Sequence, residues 1–213
     1  MTSGPVRATE TDRVRRIQGK SAPSYDRRIR FFERVLFGDG RGWVCSQAEG
    51  EVLEIAAGTA RNLPHYPTNA RVTAVELSPE MAAIGQRRAE ALGRAVDLRV
   101  GDAQKLDLED ESFDTVVCTL GLCTIPDPRA AVAEARRVLR PGGRYLGLEH
   151  VRSPITPVRW GERLLEPLFV RFEADHLTRE PLDYLRAEGF EIERVERSKL
   201  GIVERVVARK PDG

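Results

Sequence analysis

The chain has 213 residues, enough for one domain with a full-sized core. Its 34 basic and 33 acidic side chains leave a formal net charge of +1, which excludes a nucleic-acid protein that binds mainly by neutralising phosphates. No apolar signal core opens the chain and no run approaches the ~20 apolar residues of a membrane span, so a soluble, cytoplasmic protein is expected, at most peripheral to a membrane.

Met1 to Lys20 is polar, rich in Arg and Thr, and reads as a flexible N-terminal arm. From residue 21 a single domain is expected. Tyr25–Phe37 has helical periodicity, with Tyr25, Ile29, Phe32, Val35 and Leu36 on one face and Arg27, Arg30 and Arg34 on the other; Gly38 and Gly40 end it. Its apolar face is expected to cover the active site, with peripheral contact to an anionic membrane as the alternative. Strands are then predicted at Glu51–Ile55, Arg71–Val75, Val96–Val100, Phe113–Leu120 and Arg144–Glu149. Ser78 with Pro79 and Glu80 starts a helix that Gly93 stops, and Asp127 caps another over Arg129–Leu139, broken by Pro141-Gly142-Gly143. Short strands alternating with helices mean an α/β, Rossmann-like, doubly wound and mostly parallel sheet. Residues 151–177, with three prolines among large apolar side chains, read as a broken helical lid. Thr178 is expected to cap a helix reaching Glu188, and Phe190–Arg197 with Ile202–Arg209 to form a terminal antiparallel pair, giving seven strands. Cys45, Cys118 and Cys123 lack metal-ligand spacing and read as buried free thiols, with no metal expected.

Two apolar runs that each end in an acid carry the chemistry. Val52-Leu53-Glu54-Ile55 leads into the small-residue turn Ala56-Ala57-Gly58-Thr59-Ala60-Arg61-Asn62, and Val72-Thr73-Ala74-Val75 ends in Glu76. Small residues let backbone N–H groups approach a ligand, and the second acid accepts from ribose hydroxyls, which is how a doubly wound domain holds a nucleoside.

With Gly101-Asp102-Ala103, Phe113-Asp114-Thr115-Val116-Val117 and Arg137-Val138-Leu139-Arg140-Pro141-Gly142-Gly143 in this order, the chain resembles the class I S-adenosylmethionine-dependent methyltransferases, in the branch of the quinone methyltransferases. Glu149-His150-Val151 and Leu177-Thr178-Arg179-Glu180 look like the thiol methyltransferase group, and Tyr25-Asp26-Arg27 like the phospholipid N-methyltransferases. The resemblance implies S-adenosylmethionine as cofactor, bound by Ala56, Gly58 and Asn62 of the turn, Glu54 at the ammonium group, Glu76 at the ribose, and Asp102, Ala103, Leu77 and Met81 at the adenine. Thr119, Leu120 and Cys123 would line the sulfonium side, and Tyr25 would close over the cofactor. Ala56 and Ala60 depart from the family by replacing two glycines, and Cys123 stands where a His is often found.

The acceptor is expected to be a small, largely apolar molecule lined by Phe31, Trp160, Leu164, Phe169 and Phe172. His150, after the fifth strand, is the first general-base candidate, and His176 with Asp175 the second. The absence of an obvious strong base favours thiol sulfur, then amine or phospholipid nitrogen, then oxygen or carbon of an aromatic product. A cofactor-templated rearrangement or cyclisation, and a non-catalytic cofactor-binding regulator, are the other readings. Monomer and homodimer both stay open.

Overall fold

The computed structural model describes residues 9–212. Seven strands form one sheet in the order β3-β2-β1-β4-β5-β7-β6. They are β1 (Glu51–Ile55), β2 (Arg71–Glu76), β3 (Asp97–Val100), β4 (Phe113–Thr119), β5 (Leu139–His150), β6 (Glu191–Ser198) and β7 (Val203–Arg209). The first five are parallel to one another, and β7 runs antiparallel to both β5 and β6. The chain's last strand is therefore inserted between β5 and β6 rather than added at the edge.

Six α-helices accompany the sheet: α1 (Glu10–Phe32), α2 (Gly40–Cys45), α3 (Pro79–Leu92), α4 (Pro128–Val138), α5 (Thr156–Glu173) and α6 (Pro181–Ala187). The central strands are buried on both faces, which is why they read as continuous apolar runs. Leu53, Ile55, Val116, Cys118 and Tyr145 pack on the side of α4 and α6, with Ala131, Val132, Ala135, Val138, Leu182 and Leu185. Val52, Val117, Leu146 and Leu148 pack on the opposite side, with Val44 and Cys45 of α2 and Ala89 of α3.

Several elements differ from expectation. The arm expected over residues 1–20 is helix from Glu10 onward, with residues 1–8 outside the described part. Thr9 and Asp12 form a reciprocal capping box, Asp12 N–H donating to Thr9 Oγ1 at 3.1 Å and Thr9 N–H to Asp12 Oδ2 at 3.1 Å. Tertiary contacts hold the helix down: Arg13 Nη2 donates to the Val170 carbonyl at 2.6 Å, and Gly19 leaves the space into which the Glu80 carboxylate fits. The helix predicted at Tyr25–Phe37 is thus the end of α1, widened into a π turn over Glu33–Phe37 and stopped by Gly38 at φ 55°. Its apolar face does not cover the site as a whole, because Phe31, Phe32 and Val35 are exposed.

The helix before β5 stops at Val138, and β5 begins at Leu139 and runs through Pro141-Gly142-Gly143. A Cβ on Gly143 would lie 2.9 Å from the Arg140 carbonyl oxygen and 3.1 Å from that of Asp114, so the motif lets the strand start close against β4. The segment expected as a broken helical lid holds one continuous helix, α5, with Pro167 inside it. Thr178 does not cap α6, which starts after Glu180; its hydroxyl donates to Glu166 Oε2 at 2.7 Å.

Gly147 shows how tightly β5 and β7 are matched. A Cβ there would sit 2.7 Å from Val206 Cγ1 and 3.1 Å from Tyr145 Cε1, and both side chains are buried. Gly147→Ala is expected to destabilise the protein by about 1–3 kcal/mol, read as a lowered urea midpoint at unchanged m-value; an unchanged midpoint would show that the two sides give way freely.

Candidate active site

The strand order reverses between β1 and β4, so the loops leaving their carboxyl ends part and open a crevice. The turn after β1 is left-handed at Ala56 (φ 52°), Gly58 (φ 59°) and Ala60 (φ 56°). Left-handed backbone costs an alanine about 1–2 kcal/mol, and two glycines opposite make room for the extra methyls. A Cβ on Gly121 would lie 2.8 Å from Ala56 Cβ, and one on Gly85 would lie 3.1 Å from Ala60 Cβ. Nothing lies within 4 Å of the place a Gly58 Cβ would take, so that backbone faces open space.

Glu76, 3% exposed, ends β2. Its Oε2 accepts from Gly58 N–H at 2.7 Å and its Oε1 from Ser78 N–H at 2.8 Å. Burial pushes this carboxyl up, and the backbone donors of Ser78, Gly58 and Leu77 oppose the shift. A groove continues from it, lined by Ala56, Leu77, Asp102, Ala103, Thr124 and Ile125 and closed by Val14 and Gln18 of α1. Gln18 Nε2 reaches Thr124 Oγ1 at 3.4 Å, while its Oε1 is buried without a partner. Asp102 Oδ1 accepts from Gln104 N–H at 2.9 Å. Met81, expected at the adenine, is buried at the start of α3 and is not among the groove-lining residues.

At the other end, Glu54 is buried beneath a polar network. Its Oε1 accepts from Asn62 Nδ2 at 3.0 Å and its Oε2 from the Tyr66 hydroxyl at 2.9 Å. Burial is the main cause that pushes Glu54 up to about 7, against the hydrogen bonds of Tyr66 and Asn62 and the charge of Arg41. Arg41, on α2, donates to Asn62 Oδ1 at 2.8 Å, Thr119 Oγ1 at 2.7 Å and Glu33 Oε1 at 2.5 Å. Asn62 and Thr119 are therefore tied to each other and to Arg41, with Asn62 Nδ2 also 2.9 Å from Thr119 Oγ1. Arg61 pairs with Glu33, and Asp26 with Arg88 and the Thr59 hydroxyl, which fastens α1 to the turn. Tyr25 lies among Arg41, Cys123, Glu33 and Glu76, and burial pushes its phenol up to about 12.

The ends of β4 and β5 meet over a second carboxylate. Glu149 Oε1 accepts from Gly121 N–H at 2.9 Å, Leu122 N–H at 3.0 Å and the Cys118 thiol at 3.4 Å. Leu120 is held left-handed (φ 54°) with its N–H on the Leu148 carbonyl at 2.7 Å. Beside it, His150 Nε2 lies 2.9 Å from Asp175 Oδ1. Burial alone would depress the imidazole; the charge and hydrogen bond of Asp175, with Glu149 and Glu162 behind, hold it above its ordinary value. Asp175 is held below the usual carboxylate range, since His150 and the Cys123 thiol outweigh its burial. An ionised carboxylate only accepts, so Nε2 carries the proton and Nδ1 is left free to take another. Cys123 contributes a buried thiol that burial, Asp175 and Glu149 push well up, so it stays protonated. Its sulfur, an imidazole nitrogen and an Asp175 oxygen converge within 4.8 Å, a spacing that metal ligands also show.

Asp175 thus serves His150 rather than its neighbour His176. His176 turns to Glu166, 3.7 Å away, and burial with the charge of Arg179 lowers its imidazole. The expected acceptor lining is also not assembled: Phe31 is 66%, Trp160 70%, Leu164 82% and Phe172 60% exposed, and Phe169 alone of the five is half-buried. Sequence reasoning missed Gln18, whose helix is announced by the Thr9–Asp12 capping pattern. It also missed Arg41, which no local pattern marks, and gave no role to Asp26 and Glu149, although both stand in motifs that carry the resemblance.

The chain is similar to known proteins. Residues 53–147 match the family described as a methyltransferase domain. A phosphatidylethanolamine N-methyltransferase of Cereibacter sphaeroides is 36% identical over 126 residues, 58% of this chain and 60% of the relative. A thiol S-methyltransferase of Homo sapiens is 34% identical over 137 residues, 62% of this chain and 55% of the relative. The chain thus spans little more than half the length of these relatives. A solved S-adenosylmethionine-dependent methyltransferase from Thermotoga maritima shares the fold with TM-score 0.71 at 24% identity, over 92% of this chain and 99% of that one.

A raised imidazole gives stability that is complete below the unfolded value of about 6.5 and is lost as pH rises through the folded value. Asp175→Asn is therefore expected to lower the His150 titration point followed by NMR, and to cost more stability at about pH 5.5 than at about pH 8.5. An unmoved titration point would mean that Asp175 does not set the basicity of His150.

Proposed function

The chain belongs to the class I S-adenosylmethionine-dependent methyltransferases, and from that premise we propose that it transfers a methyl group to a small, largely apolar acceptor, thiol sulfur first, amine or phospholipid nitrogen second, and oxygen or carbon of an aromatic product third. The observation that carries the proposal is the His150–Asp175 pair, set at the end of β5 with Cys123 of the loop after β4.

The polar groups along the groove suit the cofactor. Each Glu76 oxygen is used once by backbone and keeps a lone pair for a ribose hydroxyl. Gln18 Oε1, orphaned in the groove wall, and Asp102 are acceptors for an exocyclic amine. Arg41 presents a guanidinium beside Asn62 and Thr119, where a carboxylate of the methionine part would find its charge partner. Each Glu54 oxygen likewise carries one hydrogen bond, so it orients Asn62 and Tyr66 and keeps a lone pair on each oxygen for an ammonium group. S-adenosylmethionine supplies a methyl group activated by a positive sulfur.

The chain's own residues then do three things. Val14 and Gln18 close the groove and exclude water, with Tyr25 of the same helix proposed to close over the cofactor. Arg41, Asn62 and Glu76 fix position and orientation. His150 takes the acceptor's proton at Nδ1, and Asp175 holds the resulting imidazolium. This last step supports the ranking. A thiol of pKa about 8.5 gives its proton to a raised imidazole at small cost, whereas a phenol near 10 adds about 2 kcal/mol. The names of the relatives, a thiol S-methyltransferase and a phosphatidylethanolamine N-methyltransferase, support the first two ranks.

Mass spectrometry of turnover with alkyl and aryl thiols, amines, phosphatidylethanolamine and phenols tests the proposal. The expected result is methylated thiol and S-adenosylhomocysteine in equal amounts, with kcat lowered about 10²–10⁴-fold in His150→Gln. Product without S-adenosylhomocysteine would establish the rearrangement reading, and tight binding without turnover of any acceptor the regulator reading.

A further inference from the structure

Helix α5 is inside out. Its acidic side chains are engaged by the rest of the protein: Glu162 is buried and accepts the Ser153 N–H at 3.0 Å, Glu166 takes the Thr178 hydroxyl at 2.7 Å, and the part-exposed Glu173 pairs with Arg28 of α1. Its outer face is Trp160, Leu164, Leu165, Leu168 and Phe172, all exposed. Phe31, Phe32 and Val35 at the end of α1 are exposed as well, and the Arg28–Glu173 pair ties that end of α1 to the end of α5. Among the described residues, ten of the thirteen exposed large apolar side chains lie on these helices or next to α5, at Ile155 and at Leu200, whose carbonyl accepts from the Ser153 hydroxyl at 2.7 Å. A face of that kind marks an interaction surface.

The charges around it say what covers it. Arg27, Arg30, Arg34 and Arg163 are exposed, and among the described residues none has a carboxylate within 4.0 Å. Arg171 is spent over the ring of Phe172, 5.8 Å from its centroid. Most arginines elsewhere are paired, as Arg61, Arg88, Arg137, Arg140 and Arg197 are. A second copy docked by a two-fold axis would bring one set of unpaired arginines against the other, which disfavours it. An anionic bilayer satisfies both features: apolar side chains enter the acyl boundary and the arginines lie at the headgroups. Among the described residues no helix is long and apolar enough to cross a membrane.

We propose that the outer face of α5, with the Phe31–Val35 end of α1, docks the protein on an anionic lipid surface. The docking is independent of the methyl-transfer reading, and its failure would leave that reading untouched. Sedimentation of the full chain with phosphatidylcholine vesicles, with and without phosphatidylglycerol, tests it, alongside light scattering without lipid. Binding is expected to the anionic vesicles and to fall with salt. Arg30→Glu with Arg34→Glu is expected to weaken it about 30-fold or more, and Leu164→Glu with Leu168→Glu about a hundredfold or more, both with unchanged thermal midpoints. Three results would each overturn the proposal: no binding to either vesicle, undiminished binding by the leucine double variant, or a dimer that this variant dissociates.

Discussion

Two buried carboxylates hold the working end of this molecule together. Glu76 ends β2 and collects the N–H groups of Gly58 and Ser78; Glu149, at the end of β5, collects those of Gly121 and Leu122. Burying a carboxylate is costly, and charge-assisted bonds to backbone N–H groups are what offset it. The arrangement fixes the loops after β1 and β4, which flank the point where the strand order reverses, and the loop after the neighbouring β2. The left-handed residues at Ala56, Gly58 and Leu120 all lie in loops held this way. Removing Glu149 would strand the buried donors of Gly121 and Leu122, removing Glu76 the buried donor of Ser78, and either would release a loop.

The same region shows how a departure from a family pattern is absorbed. Alanines at positions 56 and 60 bring methyl groups into a turn that glycine fits without strain, and the methyls are received by the bare backbone of Gly121 and Gly85. The strain is local, and the network of Arg41, Asn62, Thr119, Glu54 and Tyr66 over-determines the turn on its other side. Arg41 connects the pieces: it touches a residue after β1, the last residue of β4 and the π turn that ends α1.

Much of this was legible in the amino-acid sequence. Parallel strands announce themselves as apolar runs, and acids at their ends are conspicuous because nothing else in those runs is charged. Strand endings near Ile55, Val100 and Thr119 were read within a residue or two. What failed, failed for physical reasons. The first half of α1 is polar, and its helix depends on tertiary contacts such as Arg13 to the Val170 carbonyl rather than on a local apolar stripe. The outward apolar face of α5 was read as a pocket lining because amphipathicity gives a helix two faces and does not say which one meets the sheet. Asp175 was paired with its chain neighbour His176, whereas the fold brings it to His150, 25 residues earlier in the chain.

The account rests on the groove beside Glu76 being the place where the cofactor binds. Calorimetric titration of S-adenosylmethionine into the wild-type protein and into Glu76→Ala tests that most directly. Micromolar binding in the wild type that disappears in the variant, with the variant still folded by circular dichroism, is the predicted result. Equal binding by a folded variant, or none by the wild type, would contradict it.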